Sequence, residues 1–98
     1  MKPAEIVKVL AALAQDTRLA IYRLLVTRGP EGLFAGAIGV KLGISRPTLS
    51  FHLKELTNAG LVAVRQDGRF VIYTANLEVM KNLLGFLADN CCGGNPAG

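Results

Sequence analysis

The most reactive side chains of this chain form an adjacent cysteine pair, Cys91 and Cys92, near the C-terminal end. Thiolates are soft ligands that select thiophilic ions. Two cysteines without a neighbouring histidine make a poor zinc site within one chain, because zinc usually takes four ligands. The pair could also be incidental, or could form a strained disulfide that acts as a redox switch. The residues alone leave these roles open.

A second set of polar side chains follows one face of the segment Gly43–Gly60, GISRPTLSFHLKELTNAG. Leu49, Leu53 and Leu56 recur at helical spacing and predict a stripe that faces a core. The opposite face mixes cationic, hydroxyl and aromatic groups, which suits the base edges and thymine methyls of a DNA major groove. We predict DNA contacts from Ser45, Arg46, Pro47, Thr48, Ser50, Phe51 and Lys54.

The ends of this helix carry their own signals. Ser45 is predicted to be the N-cap, with its hydroxyl accepting from first-turn amides, and Pro47 fits the first turn. Gly60 is predicted to be the C′ residue. His52 borders the leucine stripe, which favours a packed, hydrogen-bonded histidine. A Cys–His nucleophilic enzyme would need His52 beside the cysteine pair. His52 and the cysteines lie at opposite functional ends of the predicted fold, so we expect no enzyme.

A β-hairpin is predicted directly after this helix. Its strands are Leu61–Arg65 and Phe70–Thr74, and Asp67–Gly68 supplies the turn signal. Arg65 and Arg69 flank the tip, where we predict that they contact phosphates or the minor groove. A helix followed by such a hairpin is typical of a winged helix-turn-helix.

Apolar periodicity predicts four further helices, at Pro3–Ala14, Thr17–Thr27 with Asp16 as its N-cap, Phe34–Leu42, and Leu77–Asp89. Phe34–Leu42 would be the supporting helix before the DNA-contacting one, with Gly43 in the turn. The predicted order is ααααββα, an α+β fold that is mainly α. We predict that residues 1–90 form a DNA-binding and dimerisation domain and that residues 91–98 form a cysteine-containing tail.

The composition of the chain predicts a partner subunit. Hydrophobic residues make up 51% of 98 residues, and the first and last helices carry more apolar surface than one small core can cover. We therefore predict a homodimer formed through these two helices, with interface residues Ile6, Leu10, Leu13, Met80, Leu83, Leu84 and Leu87.

Charge and hydropathy narrow the class of protein. Residues 41–69 contain five cationic and two acidic side chains, so this segment contributes +3 to a net charge of +4. Positive charge on the proposed DNA face is expected of a nucleic-acid binder.

No uncharged apolar run approaches the ~20 residues that span a bilayer. Glu5 and Lys8 interrupt the N-terminal apolar pattern, which argues against a signal peptide. We expect a cytoplasmic protein with no membrane partner and with reduced cysteines.

Three segments together resemble the ArsR/SmtB family of metal-responsive winged-helix repressors. LAALAQDTRLAIYRLL resembles the opening signature of the family, ISRPTLSFHLKELTNAGLV its recognition helix, and VRQDGRFVIYTA its wing. The resemblance extends over residues 5–92. It implies a homodimer that holds operator DNA and releases it when an ion binds.

The family places its inducer ligands at several positions. One branch has a Cys-x-Cys pair in the helix before the recognition helix, where this chain reads FAGAIGVKL. Another uses Asp and His on the last helix, where this chain has Glu78 and Asp89 but no histidine. Cys91 and Cys92 resemble the adjacent cysteines of arsenite-responsive members, although the third cysteine common in those is missing. The resemblance implies As(III) or Sb(III) as inducer ligand and no catalytic cofactor. The alternative is a redox- or other-ligand-responsive DNA-binding regulator with no metalloid site.

Overall fold

The computed structural model describes residues 1–89, and Cys91 and Cys92 lie outside them. It confirms a mainly helical winged helix-turn-helix with an antiparallel sheet. The helices are α1 Pro3–Leu13, α2 Asp16–Arg28, α3 Ala35–Leu42, α4 Arg46–Asn58 and α5 Leu77–Ala88, with a 3₁₀ turn at Gly29–Glu31. The strands are β1 Leu33–Phe34, β2 Val62–Asp67 and β3 Phe70–Ala75, in the spatial order β1-β3-β2.

The sequence predicts Asp16 as the N-cap of α2, but the N-cap in the structure is Gln15. The backbone of Gln15 is extended, and its side-chain oxygen accepts a 2.8 Å hydrogen bond from the backbone N–H of Arg18. Asp16 is instead the first helical residue, where its negative charge suits the helix dipole. The longer Gln15 side chain thus takes the capping role one residue earlier.

The short strand β1 was not predicted. Phe34 was expected to open a helix, but it has an extended backbone and pairs with Ile72 of β3, while Leu33 pairs with Tyr73. Gly32 precedes this strand with φ +65°, and a Cβ there would collide with the carbonyl oxygen of Tyr73. A two-residue strand carries no periodicity that a sequence pattern could reveal.

The core lies between the five helices, β1 and the base of the hairpin. The predicted leucine stripe is confirmed, since Leu49, Leu53 and Leu56 are all buried on the inner face of α4. The largest fully buried side chains are Val9, Ile21, Leu25, Ile38, Leu49, Leu56 and Leu61. They fix the orientation of α4 relative to the other helices.

The end of α4 confirms the predicted role of Gly60. Gly60 has φ +80°, and its N–H donates to the carbonyl of Thr57 at 3.0 Å. The N–H of Leu61 donates to the carbonyl of Leu56, also at 3.0 Å, which completes a Schellman motif. The carbonyl of Leu61 then accepts from the N–H of Asn76 at 2.8 Å, and Asn76 is the N-cap of α5. One buried residue therefore connects α4, the hairpin and α5.

The terminal helices carry both core and surface apolar residues. Ile6 and Leu83, which were predicted at the dimer interface, are buried in the core of the protomer itself. Leu13 and Met80 are partly buried and pack against that core. Exposed apolar side chains of the two helices are Val7, Leu10, Leu77, Leu84, Phe86 and Leu87. No helix within residues 1–89 has both the length and the apolar character needed to cross a membrane.

Candidate nucleic-acid interface

The outer face of α4 presents the side chains that the sequence predicted for DNA contact. Its residues Arg46, Pro47, Thr48, Ser50, Phe51 and Lys54 are all exposed, as is the preceding Ser45. Phe51 keeps 56% of its surface accessible, although it lies one residue before the buried pair His52 and Leu53. The helix therefore divides into a packed side and a mixed polar, cationic and aromatic side that a DNA groove can accept.

The N-terminus of α4 differs from the prediction in one detail. Ser45 occupies the N-cap position, but its hydroxyl caps no backbone amide and instead donates to Thr48 Oγ1 at 3.1 Å. Pro47 at the second helical position has no N–H, which removes one of the two amides that an N-cap oxygen usually accepts from. The two hydroxyls thus lie together at a helix N-terminus, where anions are favoured.

The turn between α3 and α4 is held by two close backbone approaches. Gly43 adopts the left-handed conformation, with φ +67° and ψ 39°, as its predicted position in the turn requires. The N–H of Ile44 donates to the carbonyl of Gly39 at 3.0 Å. A Cβ on Gly39 would approach the Ile44 carbonyl to 3.1 Å, so a glycine suits that position. This turn sets the angle at which α4 projects from the supporting helix α3.

Behind the exposed face, His52 is buried and hydrogen-bonded, as predicted. Its Nδ1 lies 3.2 Å from Nη1 of Arg18, and Nε of Arg18 donates to the carbonyl of Ala12 at 2.6 Å. Since the guanidinium can only donate, His52 Nδ1 accepts and the proton of the neutral ring is on Nε2. Burial lowers the pKa of His52, the charge of Arg18 lowers it further, and Glu55 partly opposes both effects. Sequence reasoning missed Arg18, because 34 residues separate it from His52.

The hairpin places its two arginines in different environments. Gly68, with φ +61°, and Arg69 form the two-residue turn between the paired Asp67 and Phe70, so Arg69 lies at the exposed tip. Arg65 lies further down the strand, opposite Ile72. Its guanidinium donates to the carbonyls of Pro30 at 2.9 Å and Glu31 at 3.2 Å. Arg65 thereby joins the hairpin to the 3₁₀ turn that follows α2.

An aromatic pair between β1 and the hairpin was also missed by sequence reasoning. The rings of Phe34 and Phe70 have centroids 5.3 Å apart, and both side chains are exposed. Their contact depends on the register of β1 against β3, which no sequence pattern indicates.

The predicted metalloid ligands cannot be placed on this framework, because Cys91 and Cys92 lie outside the described residues. Helix α5 ends at Ala88, three positions before Cys91 in the sequence. Within residues 1–89, no three side chains among His, Cys, Asp and Glu gather closely enough to hold a metal ion.

The chain is similar to known regulators of transcription. A family model described as a helix-turn-helix domain matches residues 13–65. The chain is 38% identical over 81 residues to the uncharacterized HTH-type transcriptional regulator YceK of Bacillus subtilis, which covers 82% of this chain and 80% of that protein. It is 39% identical over 72 residues to the putative arsenical resistance operon repressor ArsR of Halobacterium salinarum, covering 74% of this chain and 55% of that protein.

Solved structures share the same fold. An ArsR-like transcriptional regulator from Rhodococcus sp. RHA1 matches with a TM-score of 0.78 and 31% identity, over 86% of this chain and 76% of that one. The homodimeric winged helix-turn-helix DNA-binding domain of Mb0332 from Mycobacterium bovis matches with a TM-score of 0.72 and 29% identity, over 89% and 81%. With this fold, these relatives and the exposed face of α4, the chain belongs to the ArsR family of winged helix-turn-helix transcriptional regulators, and it binds DNA as a homodimer.

Proposed function

We propose that this protein is a metalloid-responsive transcriptional repressor. In this proposal the homodimer holds operator DNA and is released when As(III) or Sb(III) binds the thiolates of Cys91 and Cys92. Two observations support the ligand: soft thiolates select thiophilic species, and one relative bears the name of an arsenical resistance repressor. A third donor would complete the site, from water, a small thiol or another thiolate of the dimer.

The observation that carries the DNA part of the proposal is the division of α4 into two faces. Leu49, Leu53 and Leu56 fix the helix to the core, while Arg46 and Ser50 project from the exposed side. A helix held in this way can enter the major groove without losing its packing. Arg69 at the hairpin tip would then reach the adjacent backbone or minor groove.

The exposed apolar surface of α1 and α5 supports a homodimer formed through these two helices. Leu84 and Leu87 keep 58% and 55% of their surface exposed in the single protomer. A neighbouring Phe86 and, on α1, Leu10 and Val7 extend this apolar set. Burying it against the same helices of a partner removes it from water and fixes the spacing of two recognition helices.

The position of the cysteine pair indicates how ion binding could change the affinity for DNA. Two residues separate the end of α5 from Cys91 and Cys92 in the sequence. Drawing both sulfurs onto one ion constrains the chain at the end of the helix that we place in the dimer seam. An ion releases DNA only if it binds the DNA-incompetent arrangement more tightly. Coupling of this kind typically amounts to about 5–150-fold in affinity.

The test is a titration of operator-bound protein, followed by fluorescence anisotropy under reducing conditions. The operator is first selected from random duplex DNA with the wild-type protein. Arsenite, antimonite, zinc and cadmium are then added to wild type and to the double variant Cys91→Ser, Cys92→Ser. We expect arsenite and antimonite to release the wild type and to leave the double variant bound. Equal release of both proteins by arsenite would show that the pair is not the sensor.

A separate arm with peroxide and no reductant distinguishes the redox alternative. Release by peroxide that is reversed by a thiol, together with no response to arsenite, would replace the metalloid by a disulfide. Cys91→Ser and Cys92→Ser alone should each still bind the operator but respond weakly or not at all to arsenite, because each keeps the size of the side chain and removes one thiolate.

A further inference from the structure

We infer that the exposed rings of Phe34 and Phe70 form a DNA-contacting surface, which packs on the deoxyribose groups of the strand between the recognition helix and the wing. This inference rests on the proposed placement of α4 in the major groove. It adds two residues, from β1 and β3, to the DNA-contacting set.

The two rings form one continuous apolar surface. Their centroids lie 5.3 Å apart with an interplanar angle of 40°. Phe34 pairs with Ile72, and Phe70 lies two residues from Ile72 on the same strand, so the rings are diagonal neighbours on one face of the sheet. Their exposed fractions are 44% and 55%, respectively. Side chains of this size with so much free surface are available to a partner.

The location of this surface connects it to the recognition helix. A Cβ placed on Gly36, in the first turn of α3, would lie 3.2 Å from the Phe34 ring and 3.7 Å from Nη1 of Arg46. The ring and the guanidinium therefore flank the same glycine, and Arg46 is the first residue of α4. At the other end, Phe70 directly follows Arg69 at the hairpin tip. The aromatic pair thus lies between two exposed cations.

This alternation of charge and apolar surface fits the DNA backbone. A DNA strand presents anionic phosphates that are separated by sugars whose C–H groups are apolar, and about half to two-thirds of protein–DNA hydrogen bonds go to phosphate and sugar. In this inference Arg46 and Arg69 pair with phosphates or base edges on either side of the aromatic pair, and the rings meet the sugars between them. A purely apolar partner would instead have to desolvate both cations without pairing them.

The test compares Phe34→Ala and Phe70→Ala with wild type in operator binding over a series of salt concentrations. We expect each variant to lose about tenfold in affinity, since truncation removes roughly 60 Å² of apolar contact. The slope of affinity against salt should not change, because no phosphate contact is removed. The control Arg69→Ala should lower that slope by about one. Val71→Ala is the matched apolar control, because it lies next to Phe70 on the opposite face of the sheet.

Hydroxyl-radical footprinting reports directly on sugar accessibility. Wild type should protect a short run of sugars between the major-groove and wing contacts. The two phenylalanine variants should expose those sugars and keep the rest of the footprint, while Val71→Ala should leave all of it intact. If Phe34→Ala lowers the melting temperature, the result for Phe70→Ala is used to judge the inference. The Phe70 ring is the more exposed of the two, so its removal should disturb the fold less.

Several outcomes overturn the inference. Unchanged affinity and unchanged sugar protection in both variants would remove the rings from the interface. Sedimentation of the free protein that shows self-association dependent on Phe70 would assign the pair to a protein contact. Failure of the underlying function looks different, because Arg46→Ala and Ser50→Ala would then also bind the operator like wild type.

Discussion

Nη1 of Arg18 lies 3.2 Å from Nδ1 of His52, so a cation on α2 contacts the buried side of the recognition helix. The same guanidinium reaches the last turn of α1 through the carbonyl of Ala12. Three helices therefore meet at one side chain. Protonation of His52 would place a second positive charge against Arg18, with Glu55 the acidic group that partly compensates.

We predict that the free energy of unfolding decreases as the pH falls below about 6.5. The pKa of His52 is lowered from 6.5 in the folded protein by burial and by Arg18. Between the two pKa values the unfolded chain binds more protons than the folded protein. The contribution of neutral His52 to the free energy of unfolding is therefore complete above pH 6.5 and is lost as the pH falls through the folded-state pKa. Urea unfolding at several pH values measures it. His52→Gln, which keeps an acceptor for Arg18, should remove this part of the pH dependence. Parallel profiles for the two proteins would contradict it.

Two surface substitutions on α4 should separate DNA binding from stability. Arg46→Ala and Ser50→Ala should weaken operator binding, and loss of a bidentate base contact costs about 1–3 kcal/mol. Their unfolding curves should match wild type, because both side chains are exposed. Leu53→Ala should instead destabilise the fold by about 2–5 kcal/mol, since Leu53 is buried. If both surface variants bind normally, another face of α4 meets the DNA.

A charge on the exposed face of α5 should dissociate the dimer. Leu84→Asp and Leu87→Asp put an unpaired ion into the proposed seam, which is costly to desolvate. Analytical ultracentrifugation should show monomers, and operator binding should fall in parallel. Leu83→Asp should unfold the protomer, because Leu83 is buried within it. The control Asn82→Asp adds the same charge at an exposed position of α5 and should leave the dimer intact unless the seam is wider than proposed.

The two arginines of the hairpin should respond differently to removal. Arg65→Ala loses two hydrogen bonds to the carbonyls of Pro30 and Glu31, so it should reduce stability by about 1 kcal/mol. Arg69→Ala removes an exposed cation at the tip and should weaken operator binding, with a shallower salt dependence. Thermal unfolding and binding at several salt concentrations distinguish the two effects. A larger salt effect for Arg65→Ala would mean that its guanidinium leaves the loop when DNA binds.

The recognition helix and the hairpin could be predicted from sequence because their signals are local. The stripe Leu49, Leu53 and Leu56 follows helical periodicity, and Gly43 and Gly60 mark the turn and the helix end. The position of His52 beside the stripe was enough to predict its burial.

The features that could not be predicted depend on contacts between distant segments. The pairing of Phe34 with Ile72 needs the register of a two-residue strand. Neither end of the Arg65 contact with Pro30 carries a local signal, since 35 residues separate them. The separation of Leu83 from Leu84 into core and surface depends on how α5 lies on the protomer, which periodicity alone leaves open.

The fully buried Leu61 has a mechanical consequence for the signal that we propose. Its N–H is tied to the end of α4, and its carbonyl is tied to the start of α5, while Val62 next to it opens the hairpin. These three elements are therefore connected through a single residue, whose backbone N–H and C=O are both hydrogen-bonded. We therefore expect a displacement at the C-terminal end of α5 to be transmitted through Leu61 to α4 and the hairpin, so that these elements rotate together as one body.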